Sequence, residues 1–193
     1  MEATDKGIKL IVEQDEFAES PREWDNLGTM VCWHKQYNLG DKHDFKTPED
    51  FQDWLKEQIP QNHIVLPLYM YDHSGIGIST DNSRYPYNCP WDAGQIGWIY
   101  VIEETIKKEY GRLTISIIDK AVETLQKEVD IYNQYLGGDV YCFVVEKISK
   151  CGTCKQEIVE TIDSCGSFYG HNFKENGMSD YLGEYAYLLD KLK

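Results

Sequence analysis

Six cysteines and five histidines are the most reactive side chains in this sequence. Two of them, Cys151 and Cys154, form a C-x-x-C in the stretch SKCGTCKQE. A tight, glycine-containing turn between two thiols is how a zinc knuckle presents two sulfurs at once. Cys165 and His171 follow in CGSFYGH. Three thiolates and an imidazole are enough to close a tetrahedral site, so Cys151, Cys154, Cys165 and His171 are the candidate ligands of a structural zinc ion. The competing reading is reduced cysteines on a hairpin and its return loop. A redox dithiol is a third reading and ranks below both. Such a pair gains its low pKa from a helix N-terminus, and here the strand-like KQEIVETI follows.

A second set of reactive residues lies between 72 and 92. His73 and Cys89 can be paired as base and nucleophile, with Asp92 beside them, which would make a small hydrolase-like enzyme. Asp72, Asp81 and Arg84 lie in the same two connections. No phosphate-binding glycine motif, nucleophile elbow or H-E-x-x-H accompanies them. The structural alternative is that Trp91 anchors the loop, Asp92 caps a turn, and Gly94 and Gly97 admit a tight bend or close packing.

Charge supplies the third candidate. The chain has 33 acidic and 19 basic residues, a net charge of −14. Capturing a nucleic-acid backbone requires lysine and arginine against the phosphates, and this balance opposes it. An acidic protein can instead occupy a basic groove meant for nucleic acid. The segment EQDEFAESPREWD sets six acids, Glu13, Asp15, Glu16, Glu19, Glu23 and Asp25, against Arg22 alone. These acids and Trp24 are the candidate partner-binding residues. Phe17 and Trp24 are either interface anchors or plugs packed under the loop.

The elements that must carry these residues follow from pattern. At 193 residues the expectation is one domain over 1–193, with 139–171 as a hairpin subregion bearing the zinc knuckle. Strands are expected at 7–13, 29–34, 63–71, 75–80 and 96–102. Pro67 marks an edge or bulged position. A helix begins after Thr47 with Pro48 at its first position, and a short one spans 103–110. Apolar residues at three- and four-residue steps from Ile117 to Tyr132 predict the longest helix over 114–136, ended by Gly137. DVYCFVVEKI and KQEIVETI make a hairpin, and SDYLGEYAYLLDKL a terminal helix capped by Ser179. The expected fold is α+β: a mixed, mainly antiparallel sheet with one long central helix, a short N-terminal helix and a C-terminal helix. No apolar run approaches membrane length. The start MEATDKGIKL lacks a signal-peptide pattern, so a cytoplasmic protein is expected.

The stretches SPREWDNLGTMVCWHKQYNLGD, LYMYDHSGIGIST, WDAGQIGWIYV and DSCGSFYG resemble a group of small proteins carried by bacteriophages and mobile elements. The resemblance runs over roughly residues 8 to 170. It implies expression from a phage-type gene in the cytoplasm of a bacterial host, and it supplies no catalytic residue to carry over. By analogy it implies an anti-defence role. The expected partner is a bacterial defence effector, either a Cas nuclease, which would make the protein an anti-CRISPR, or a restriction enzyme. The expected action is non-enzymatic and requires no cofactor. The hydrolase and a zinc-stabilised interaction module are the alternatives.

Overall fold

The computed structural model describes residues 1–58, 63–73, 75–83 and 93–193. In chain order the strands are β1 (Glu2–Asp5), β2 (Ile8–Gln14), β3 (Thr29–Cys32), β4 (His63–Asp72), β5 (Ile76–Ser79), β6 (Ala93–Ile102), β7 (Val140–Lys150) and β8 (Glu157–Tyr169). The helices are α1 (Pro48–Gln58), α2 (Glu103–Tyr110), α3 (Ile115–Leu136) and α4 (Met178–Leu182). The class is α+β. In place of one mixed sheet there are two four-stranded sheets, and each described strand pairing is antiparallel. The chain also divides into two compact units, Met1–Glu19 with Gly138–Lys193, and Ser20–Gly137. Among the described residues no helix is long and apolar enough to cross a membrane.

The first unit has strand order β1-β2-β7-β8. Lys6 and Gly7, at φ 49° and 81°, form the two-residue turn between β1 and β2. Two successive left-handed residues give a turn whose twist matches the strands it joins. Leu10 and Val12 of β2, Phe143 and Val145 of β7, and Phe168 of β8 point to one face, where Met178, Leu182 and Leu188 cover them. Their spacing of two within β2 and β7 is the strand period. Residues 157–164 of β8 are exposed on both faces, and among the described residues no further strand pairs with its outer edge. The expected terminal helix is instead the short α4 followed by a 3-10 run, Gly183–Lys191. Gly183, at φ 52°, interrupts the α-helical path. Gly177 takes the position before α4, and Ser179 lies inside the helix.

The second unit has strand order β3-β6-β4-β5. Its helix α3 starts at Thr114, whose hydroxyl accepts from the Ile117 N–H, and ends at Gly137. Ala121, Leu125, Val129 and Tyr132 form its buried stripe against Met30, Leu68, Ile78, Ile99 and Val101. Alternate residues of β6 point the other way. There Trp98 and Tyr100 meet Phe51 of α1, with ring centroids 5.4 and 5.2 Å away, so the two helices cover opposite faces of the sheet. Helix α1 is held at its start by a reciprocal pair: Thr47 Oγ1 accepts from the Asp50 N–H, and Asp50 accepts from the Thr47 N–H. Pro67 pairs with Trp98 of β6 beyond the reach of β5, and the register shifts just after it, between Leu68 and Tyr69. A residue without an N–H is tolerated there because one side of β4 has no strand to bond.

Candidate functional site

The acidic segment is shared between the units. Glu13, Asp15, Glu16 and Glu19 belong to the first, and Glu23, Trp24 and Asp25 to the second.

In the first unit, β2 ends at Gln14 and the Asp15 N–H donates to the Val140 carbonyl at 2.9 Å. The Asp15 carboxylate then turns back on the backbone. One oxygen accepts from the Phe17 N–H at 3.1 Å, and the other from the Ser167 N–H at 2.8 Å. Ser167 is available because β8 carries an extra residue opposite Tyr141–Phe143, and its φ is 63°. Gly166 makes room, since a Cβ there would lie 2.4 Å from the Asp15 carboxylate. Downstream, the Tyr169 hydroxyl donates to the Glu19 carbonyl at 2.7 Å.

Asp15 is therefore the pin of the loop rather than a free acid on its surface. What the pinned loop presents is Phe17, 93% exposed, between Glu13, Glu16 and Glu19, which are exposed as well. Among the described residues these three glutamates form no ion pair. Beside Phe17 is an open cavity of about 410 Å³ lined by Glu13, Gln14, Asp15, Glu16 and Cys142. The Cys142 thiol is pushed up first by burial and then by the charges of Asp15 and Glu13. Both charges oppose forming a thiolate there.

In the second unit the segment behaves differently. Pro21–Glu23 form a 3-10 turn opened by the Ser20 hydroxyl, which accepts from the Arg22 N–H. Glu23, Trp24 and Asp25 are exposed. Arg22 turns inward, its side chain only 5% exposed. It donates to both Asp41 carboxylate oxygens at 2.9 and 2.6 Å, to Glu128 at 3.1 Å and to the Gly28 carbonyl at 2.7 Å. Glu128 also accepts from the Leu27 N–H at 2.7 Å. Burial pushes the Glu128 carboxyl up, against the pull of the Leu27 N–H and Arg22. The arginine set against six acids in the sequence is thus an internal tie and not a surface cation. The signal for it was Glu128, an acid three residues after Leu125 and four before Tyr132 on the buried stripe of α3.

The proposed zinc ligands are not brought together. Cys151 and Cys154 lie at the tip of the β7–β8 hairpin, beyond the last pair, Lys150 with Glu157. Cys165 sits opposite Phe143, eight residues along β8 from Glu157, which at the strand rise is about 25 Å away. His171 lies past the far end of β8, exposed, its Nδ1 3.5 Å from Asp139. The sequence CGSFYG reads as a return loop but continues β8, and this carries the second half of the set away from the first. Among the described residues no three cysteine, histidine, aspartate or glutamate side chains are grouped to hold a metal.

For the hydrolase reading, Cys89 and Asp92, with Arg84 and Trp91, lie outside the described residues. His73 is exposed, its ring 5.9 Å from that of Tyr71. A nearby cavity of about 420 Å³ is lined by Trp33, His34, Met70, Asp72 and Ile96, and His73 is not among its walls. His34 serves a turn there, accepting from the Gln36 and Tyr37 N–H groups.

Compared with protein-family models, with curated proteins and with solved structures, the chain matches none.

Proposed function

We propose that the protein acts by binding, using the pinned acidic loop of the first unit against a basic, nucleic-acid-binding surface of a partner protein. The observation that carries this reading is Phe17. A nearly fully exposed aromatic costs apolar contact with water, and here it stands among three unpaired glutamates on a backbone held by Asp15. An aromatic anchor ringed by charge is the composition of an interface centre, where the ring fills a pocket and the acids steer the approach. The pinned backbone reduces the ordering cost of binding. The resemblance to phage and mobile-element proteins supplies the setting. The partner is a bacterial defence effector, a Cas nuclease or a restriction enzyme, inhibited by occupation of its nucleic-acid channel in the host cytoplasm. Glu23, Trp24 and Asp25 are the exposed residues of the acidic segment that belong to the second unit.

The test is capture of the partner from host lysate followed by affinity measurement with purified proteins. Phe17→Ala is expected to weaken binding about tenfold or more, and the triple change Glu13→Lys, Glu16→Lys, Glu19→Lys by at least as much. Because these side chains make no internal contact that the fold uses, the melting temperature should stay within a degree or two of the parent. Unchanged affinity in both variants would show the loop to be the wrong surface.

A further inference from the structure

The hairpin tip sets two thiols at the ends of a glycine-containing turn. Cys151 and Cys154 are free thiols, one partly and one fully exposed. The turn between them is closed by two backbone bonds, Cys151 N–H to the Gln156 carbonyl at 2.8 Å and Lys155 N–H to the Cys151 carbonyl at 3.1 Å. Lys155 sits at φ 63°, which folds the turn back on itself. Beside it the Cys154 thiol donates to the Gln156 side-chain oxygen at 3.6 Å. A closed turn with a thiol at either end is the local frame by which a zinc knuckle offers two sulfur ligands to one ion.

A structural zinc ion takes four protein ligands in tetrahedral array, and among the described residues no third cysteine, histidine or carboxylate is grouped with these two. We propose that the tip binds zinc between two copies of the chain, with Cys151 and Cys154 of each copy completing a four-sulfur site about a twofold axis. Two further observations favour a second copy as the source of the missing ligands. The tip extends past the pairing of β2 in its own sheet. Pairing of β2 with β7 stops at Lys147, and beyond the Ile148 N–H bond to the Gly7 carbonyl at 2.7 Å, Ser149 and Lys150 have β8 alone as a strand neighbour among the described residues. The tip is also locally basic in an acidic chain, with Lys150 and Lys155 flanking the thiols. A zinc ion with four thiolates carries two net negative charges. The lysines of two tips offset them, so copies that repel elsewhere can meet here. An isologous contact of this kind closes on itself and stops at a dimer.

The test uses the full chain, reduced and freed of metal, titrated with zinc alone while mass is followed by light scattering. Mass should double as zinc reaches about half an equivalent per chain. Cobalt in place of zinc should give the sulfur-to-metal absorption of a four-thiolate tetrahedral site. Cys151→Ser and Cys154→Ser should each abolish both effects, whereas Cys165→Ser and His171→Ala should leave them intact. A full equivalent of zinc bound with no change in mass, no retention of zinc, or loss of the effect in Cys165→Ser would each overturn the proposal.

Discussion

At the scale of single residues, two charged side chains in the acidic segment do work other than their composition suggests. Asp15 organises backbone and Arg22 ties the interior, and neither role is local. The partners of Arg22 lie 19 and 106 residues away in the chain, which is why a reading confined to neighbours leaves it on the surface. Removing it would strand two carboxylates in a partly dry setting. Arg22→Met should therefore cost about 3 to 5 kcal/mol, read as a lower urea midpoint. A loss under about 1 kcal/mol would mean water replaces the guanidinium without penalty. Lysine is a poor substitute, because it cannot donate to both oxygens of Asp41 and reach Glu128 in one plane. The acids of the surface loop were legible as residues. What was not legible is that Phe17 faces outward, since exposure depends on the Asp15–Ser167 bond across 152 residues.

At the scale of elements, what could be read was what repeats locally. The stripe of α3, its stop at Gly137 and the start of α1 after Thr47 are short-range patterns, and they appear as expected; the Asp50 half of the α1 cap adds to them. Strand β1 escaped notice because EATD has little strand character of its own and is held by pairing with β2. The length of β8 was missed because its two extra residues break the alternation that reveals a strand. That length is what sets Cys165 and His171 apart from Cys151 and Cys154. Between β3 and β6 one glycine decides the spacing. A Cβ on Gly97 would meet the Val31 carbonyl oxygen at 1.9 Å, whereas one on Gly94 would meet nothing within 4 Å. Gly97→Ala should thus destabilise the second unit by about 3 kcal/mol, and Gly94→Ala by a few tenths at most. Equal thermal shifts in the two variants would refute the close approach.

At the scale of the molecule, the dominant quantity is the net charge of −14. If association with a basic partner is steered by that charge, the association rate should fall about tenfold or more between roughly 0.1 M and 1 M salt, as the screening length shrinks from about 10 to about 3 Å. The dissociation rate should move much less, because Phe17 holds by apolar contact. Rates measured by surface plasmon resonance at several salt concentrations separate the two, and a flat association rate would exclude steering. The bare margin of β8 has a consequence of another kind. It offers open backbone groups together with exposed Ile158, Val159 and Ile162, the makings of a template for fibrous self-assembly. Glu157, Glu160 and Asp163 are interleaved with them, so two such margins meeting would set carboxylate against carboxylate. These three residues stand where gatekeepers would, and neutralising them should leave the folded chain almost untouched while removing the barrier to aggregation.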